Sequence, residues 1–315
     1  MPNSIGQPID RVDGRLKVTG KALYTADHKI KNLAHGVLVT STIAKGRIRS
    51  IDTQAALRAP GVIAVLTHHD QMKLAKDPSQ VSPGEPADRA IQLLQDDRVL
   101  YGNQPIGIAL AETFEAAMEA ASLVKVQYDE AAPSVRLEQG LASAYTPKKM
   151  GGGGDPAVSH RGDFQSAFAG APTRMEEIYT TPFQIHSPME PHATIAEWDG
   201  PRKLTLYDTS QGIFGDRKRV AGLLGLEPDD MRVVCLFVGG GFGSKGPCWS
   251  HTMICAMAAR KIGRPVKLVM RRPQMFGPVG CRTATHQTIA AGAQPDGKLL
   301  ALRNQTVSHT CTFDE

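Results

Sequence analysis

One stretch constrains this chain more than any other. Met231–Val238 is rich in Val, Leu and Phe and reads as a buried strand. Gly239-Gly-Gly-Phe-Gly-Ser-Lys-Gly246 follows at once. Cys248–Ile262 then reads as a helix, with Trp249, Met253, Ala256, Met257 and Ile262 near helical spacing and Gly263 and Pro265 as its stop. Strand, glycine turn and helix bring a backbone close to a phosphate or an oxo group. Glycine has no side chain to hold a ligand away, and a helix start offers unpaired N–H groups.

Two nucleotide motifs can be tested on this loop. A P-loop needs Gly-Lys followed by Ser or Thr, whereas Gly243-Ser-Lys-Gly246 puts the serine before the lysine and leaves no hydroxyl for magnesium. The dinucleotide pattern G-x-G-x-x-G is met by Gly241-Phe-Gly-Ser-Lys-Gly246. An acidic residue should then close the next strand, but Pro265–Arg271 ends in Arg271-Arg272. Arginines suit a 2′-phosphate, so an NADP-binding oxidoreductase stays open, as does a tight turn without a ligand. Gln211 adds a second element. It follows the strand Leu204–Thr209 and precedes Gly212, and strand ends are where α/β sheets place ligands. A glutamine there donates to an oxo or carbonyl oxygen without bringing charge; a loop amide is the other reading.

No metal-ligand pattern accompanies these features. The five cysteines, Cys235, Cys248, Cys255, Cys281 and Cys311, form no C-x-x-C pair, which argues against zinc, iron–sulfur and disulfide frameworks in this chain. His186, Glu190 and His192 lie in a proline-rich segment that cannot form an i,i+4 ligand pair on a helix. His251 and Cys255 do have that spacing, and core packing accounts for them. No G-x-S-x-G occurs. The net charge of +5 is spread over short Lys/Arg clusters with few aromatics, which gives no nucleic-acid surface. No apolar run reaches the length of a membrane span, and the first residues carry no secretory signal.

The 315 residues suggest two or three domains. Residues 1–130 alternate strand and helix with local pairing and read as a mixed α/β domain. Its elements are strands at Leu33–Ile43, Arg47–Ile51, Val62–Thr67, Ile106–Ala111 and Val124–Tyr128. A short helix capped by Thr53 and a longer one capped by Thr113 complete it. Residues 70–95 read as a surface loop, and residues 131–162, with Lys148-Lys149 and Gly151–Gly154, as a linker. Residues 163–315 form the second domain, opened by a helix capped by Asp163. A helix at Asp216–Leu224 precedes the glycine loop, and two long strands joined at Pro295-Asp-Gly297 end the chain. The stop at Phe313-Asp-Glu315 leads us to expect a fragment or one piece of a split polypeptide.

Together these residues resemble a known family. Val238–Lys245 with Ser210-Gln211 is similar to the molybdenum cofactor-binding large subunit of the xanthine dehydrogenase and aldehyde oxidoreductase family. Lys17–Asp27, Val99–Thr113, Met189–Thr194 and Asp296-Gly-Lys298 extend the resemblance over nearly the whole chain, closest to bacterial aldehyde oxidoreductases. The implied fold is an α/β-hammerhead domain followed by the first part of a molybdopterin-binding domain. The implied reaction is hydroxylation of an aldehyde or an N-heterocycle, with water as the oxygen source. Electrons leave through iron–sulfur and FAD subunits. By the match, Phe242 and Gly243 lie at the oxo ligand of the molybdenum, Gln211 hydrogen-bonds an oxygen on the metal, and Gly240 and Gly241 let the backbone approach. The metal is held by a pterin dithiolene, in bacterial kin as the cytosine dinucleotide, so no protein ligands to it are expected.

Departures from the family pattern sharpen these expectations. Gly246 stands where purine hydroxylases carry a substrate-binding glutamate, which favours an aldehyde. Arg271-Arg272 replaces an acidic residue that many members have. The family's C-terminal half, which supplies most cofactor contacts and the catalytic glutamate, has no counterpart here, so no catalytic residue is expected in this chain and a second polypeptide must complete the site. A non-catalytic remnant or assembly protein of the same fold is the other expectation. A cytoplasmic location follows, or a periplasmic one reached on a partner's twin-arginine signal.

Overall fold

The computed structural model describes residues 5–70, 72, 74–75, 93–147 and 155–311. Most of the expected 70–95 loop, and all of Lys148-Lys149 and Gly151–Gly154, lie outside the described residues. The chain divides into two compact units that are discontinuous in sequence. The first combines residues up to Ala131 with His186–Gly280; the second combines Ala132–Ile185 with the strands after Cys281.

The first unit is built on a seven-stranded sheet in the order β10-β9-β8-β11-β1-β5-β3. Its strands are β1 (Ala34–Thr40), β3 (Val62–Thr67), β5 (Pro105–Ala111), β8 (Ala193–Asp199), β9 (Lys203–Asp208), β10 (Met231–Val234) and β11 (Val266–Val269). Three of these precede residue 130 and four follow residue 190. The two stretches join where β1 runs parallel to β11, with Ala34 opposite Val266 and Gly36 opposite Leu268. β1 is buried along most of its length, and β11 buries Val266 and Leu268 on one face, as neighbours in the sheet interior. The expected boundary at residue 130 therefore separates segments that share one hydrogen-bonded sheet. β2 (Gly46–Asp52), β4 (Arg98–Val99) and β6 (Lys125–Glu130) form a separate three-stranded sheet, β4-β2-β6.

Three helices cover the large sheet. In α1 (Phe114–Leu123) the Thr113 hydroxyl accepts from the Ala116 N–H at 3.2 Å, the expected cap. Ala117 and Ala120 are its buried line, which lets the helix lie close on β1 and β5. Thr53 caps nothing: the Asp52 carboxylate accepts from the Gln54 N–H at 2.9 Å instead. In the second unit, α2 (Phe164–Ala169) is capped by Asp163 as expected, its carboxylate accepting from the Ser166 N–H at 3.2 Å. α3 (Ile213–Leu224) starts three residues before the expected Asp216, directly after Gln211-Gly212.

α4 (Ser250–Ile262) is the helix expected over Cys248–Ile262. Every residue from Ser250 to Ala259 is buried, so this helix lies in the core on all sides. Met253 and Ile254 alone contribute about 3–6 kcal/mol by burial, which anchors the C-terminal end of the glycine loop. The second unit also carries a three-stranded antiparallel sheet, β13-β12-β7, of β7 (Thr173–Thr181), β12 (Thr285–Ala293) and β13 (Leu299–Ser308).

Candidate functional site

β9 and β10 are parallel neighbours, with Met231 opposite Leu204 and Val234 opposite Tyr207. Their C-terminal ends therefore lie side by side. Ser210-Gln211-Gly212 leaves the end of β9, and Gly239–Gly246 leaves the end of β10. Ligands of α/β sheets are bound outside strand ends of this kind. The strand expected over Met231–Val238 stops at Val234, because β10 is an edge strand and its ladder partner β9 ends at Asp208. Beyond that point Phe237 turns away and packs against Tyr24, with 5.9 Å between ring centroids, and under the Lys17 ammonium at 5.6 Å.

The loop is folded tightly on itself. Gly240, Phe242 and Gly243 have φ of 87°, 54° and 102°. For Phe242 this left-handed backbone costs about 1–3 kcal/mol, and its ring is 63 % exposed. A bulky side chain in that conformation, turned to the outside, is strain of the kind that accumulates at binding sites. Ser244 closes the turn, with its N–H 2.9 Å and its hydroxyl 2.8 Å from the Gly241 carbonyl. The Gly246 N–H donates to the Gly243 carbonyl at 3.2 Å. The Gly243 N–H donates to no acceptor among the described residues and sits on an exposed residue.

Gln211 lies directly against this turn. A methyl group on Gly241 would stand 2.5 Å from Gln211 Oε1 and 2.8 Å from its Cδ. The Gln211 N–H donates to the Lys245 carbonyl at 2.6 Å, which ties the end of β9 to the end of the loop. Its exposed carboxamide makes no hydrogen bond among the described residues. The two hydroxyls beside it are committed to structure: Thr209 Oγ1 accepts from the Ala193 N–H and Ser210 Oγ from the Gly212 N–H.

Four residues brace the loop from beneath. Glu190 Oε2 accepts from the Gly239 N–H and from Lys245 Nζ, each at 2.7 Å. Lys245 Nζ also donates to the Glu190 carbonyl at 3.0 Å, and the Glu190 N–H donates to the Gly239 carbonyl at 3.0 Å. The Ser244 carbonyl accepts from His192 Nε2 at 3.0 Å and from the Trp249 indole N–H. Burial pulls the Lys245 amine below its ordinary range, and Glu190 opposes that shift. Burial takes His192 down to about 4, outweighing the Ser244 carbonyl. His192 is thus neutral, with its proton on Nε2 to donate. His251 meets it edge to face at 5.4 Å and is held well below its usual range, by burial first.

A buried acidic pair lies under the end of β9. Burial raises Asp208 to about 7, and Asp216 adds to the shift; Thr194 and Thr252 donate hydroxyls to its carboxylate. Burial raises Asp216 to about 6, opposed by the Ser210 hydroxyl.

The expected residues Gln211, Gly240, Gly241, Phe242 and Gly243 thus fall together at one sheet end. Glu190 and His192, weighed in the sequence as metal ligands, serve as loop braces. Among the described residues no group of three or more His, Cys, Asp or Glu could hold a metal ion. Lys245 faces inward rather than toward a phosphate. The Arg272 guanidinium, which could have met a 2′-phosphate, donates to the Pro188 and Met189 carbonyls at 2.7 and 2.9 Å. Sequence spacing gives no sign of these braces; a lysine ending a glycine loop, far from any acid in the chain, is the only hint. The exposed donors are neutral: the Gly243 N–H and the Gln211 carboxamide, beside a glycine turn whose one exposed side chain is that of Phe242. They fit an oxygen-bearing group that none of the described residues ligates.

Comparison with known proteins bears on what that group is. The model of the molybdopterin cofactor-binding domain matches residues 152–314. The a/b hammerhead domain of aldehyde oxidase and xanthine dehydrogenase matches residues 19–132. The chain is 37% identical over 306 residues to the aldehyde oxidoreductase molybdenum-binding subunit PaoC of Escherichia coli K12, a match spanning 96% of this chain and 40% of that one. Among solved structures, reconstituted CO dehydrogenase from Oligotropha carboxidovorans superposes with a TM-score of 0.78 at 28% identity, covering 96% of this chain and 39% of that one. The aldehyde oxidoreductase of Desulfovibrio gigas gives 0.74 at 27% identity, covering 95% and 34%. The chain therefore spans well under half the length of these relatives.

Proposed function

Since the chain belongs to the molybdopterin-binding family of aldehyde oxidases and xanthine dehydrogenases, we propose that it forms one wall of a molybdenum hydroxylase active site that oxidises aldehydes to carboxylic acids. When bound, the cofactor supplies oxygen-atom transfer: the aldehyde gains oxygen from water and releases two electrons and two protons. This chain's own part is to bind and orient. Gly240 and Gly241 keep side chains away from the cofactor, and the Gly243 N–H and the Gln211 carboxamide hold its oxygen-bearing face. Phe242 covers the approach beside them. Neutral donors stabilise charge that develops on oxygen without exchanging a proton. The observation that carries the reading is the outward-facing pair of unused donors, Gln211 and Gly243, brought to one sheet end by the parallel strands β9 and β10.

Gly246 supports an aldehyde over a purine, since it offers no carboxylate to an N-heterocycle. The relatives' greater length supports a second polypeptide segment that supplies the remaining cofactor contacts and a glutamate as base. Iron–sulfur and FAD subunits as electron acceptors and the cytosine dinucleotide form of the pterin belong to the same proposal. Residues 1–130 and 163–315 act as its two inherited modules, joined through 131–162; the family matches at 19–132 and 152–314 support this division. No helix among the described residues is long and apolar enough to cross a membrane. We place the complex in the cytoplasm, with export on a partner's twin-arginine signal as the alternative.

Co-purification from the source organism, followed by molybdenum and pterin analysis, tests the proposal. We expect both in stoichiometric amounts, in a complex that oxidises aldehydes. A complex that contains the completing segment and lacks molybdenum would make the chain a non-catalytic relative.

A further inference from the structure

We propose that Glu190 and Lys245 form a clasp that sets the glycine loop into its binding shape before any cofactor arrives, so that both are positioning residues rather than ligands. The cofactor arm of this inference rests on the function proposed above. The loop Gly239–Gly243 contains four glycines, which lose more conformational freedom on ordering than other residues. Its shape therefore needs an external restraint. The clasp provides one at both ends. Glu190 meets Gly239 through its N–H and its carboxylate, and Lys245 through its carbonyl and the same carboxylate oxygen. The ends of the loop are thereby fixed to each other through one residue.

Two further observations separate this role from ligand binding. The Lys245 side chain is fully buried, 0 % exposed, so an anion outside the loop cannot reach its ammonium. A methyl group on Gly239 would stand 2.5 Å from Glu190 Cβ, so the clasp closes only over a glycine. Position 239 thus needs a glycine because of Glu190, whereas position 241 needs one because of Gln211.

The test compares wild type with Glu190→Gln, Lys245→Met and the double variant. Each is purified with the polypeptides that accompany it, and molybdenum and pterin are measured per chain. Hydrogen exchange is followed at the amides of Gln211, Gly239, Ser244 and Gly246, with the α4 amides as the reference for global stability. Glu190→Gln leaves the buried Lys245 ammonium without its countercharge, and Lys245→Met leaves the Glu190 carboxylate without its cation. We expect cofactor retention to fall about 10- to 100-fold, the range for groups that orient ligands from behind. The loop amides should exchange faster while α4 stays protected. The double variant should be no worse than either single one, because the pair acts as a unit. Should Lys245→Met fail to accumulate, the near-isosteric Glu190→Gln and the double variant carry the test. Unchanged exchange at the loop amides in the single variants overturns the clasp. So do strictly additive losses, or α4 amides that loosen in step with the loop. A wild-type complex without molybdenum and pterin overturns the proposed function instead, and the exchange measurements still decide the clasp.

Discussion

Gly241→Ala isolates the role of Gln211. The three atoms nearest to the added methyl all belong to that side chain: Oε1 at 2.5 Å, Cδ at 2.8 Å and Cγ at 3.4 Å. Something must shift, and the far end of an exposed, unbonded glutamine shifts most easily. Gly241 is not among the glycines with positive φ, so alanine meets no backbone penalty there. Reduced freedom of the unfolded chain even favours alanine by about 0.4–1 kcal/mol. The net stability change should stay within about 1 kcal/mol, or about 4 °C in Tm for a chain of this size. The carboxamide, however, is driven off its station. If it donates to an oxygen of the cofactor in the transition state, its loss should lower kcat by about 100- to 1000-fold, the range for removing one such donor. The assay is aldehyde oxidation by the purified complex with an artificial electron acceptor, paired with a melting curve and the molybdenum content. Gln211→Ala should match the loss, and the double variant should lose no more than Gln211→Ala alone. Activity within threefold of wild type at unchanged Tm would refute the role of Gln211. A large fall in Tm would show that the methyl disturbs the loop rather than the carboxamide.

Gly243→Ala should destabilise the chain by about 1–3 kcal/mol, because φ there is 102°; urea unfolding measures it, and no change in midpoint would mean that the turn relaxes freely. Asp208 has a folded pKa raised from 3.8 to about 7, so its contribution is fully present below pH 3.8 and is lost as pH rises through 7. His192 opposes it, since a folded pKa lowered from 6.5 to about 4 removes stability as pH falls across that range. Asp208→Asn should therefore leave the His192 trend unopposed, seen as a urea midpoint that rises more steeply between pH 4 and 7 than in wild type; an unchanged slope would contradict the assignment. Thiol labelling should reach exposed Cys311 first, with Cys235 and Cys281 slower. Cys248 and Cys255, buried and with thiol pKa values raised by burial, should react only on unfolding. Early labelling of Cys255 would mean that the α4 packing opens in solution.

Local pattern carried much of this architecture. The apolar runs at β1, β3 and β5 and the Thr113 and Asp163 caps are short-range signals, and each forms where its residues place it. The strand end at Gln211 and the glycine turn are each written locally, but it was the family resemblance that implied they share one site. What the sequence hid was non-local. Nothing in Ala34–Thr40 announces Val266–Val269 as its neighbour, because both are generic buried strands. The Glu190–Lys245 contact joins residues 55 positions apart, and only the folded sheet brings them together. Core packing already accounted for His251 and Cys255 in α4, but nothing in the sequence showed that Ser250 and Thr252 are buried as well. Thr252 bonds to Asp208 and His251 packs on His192, so the partners that satisfy these polar side chains lie on other elements.

The β1–β11 junction also bears on how the chain is made. Arg264 and Asn32, hydrogen-bonded at that seam, are 232 residues apart. At roughly 5–20 residues per second, a ribosome takes roughly 10–50 s to deliver the second after the first. β5 can cover one side of β1 early, but the other side stays an open apolar edge for all that time. Bare strand edges recruit other chains. During synthesis the free edge of Ala34–Thr40 is thus a point of vulnerability until Val266–Val269 emerges to cover it.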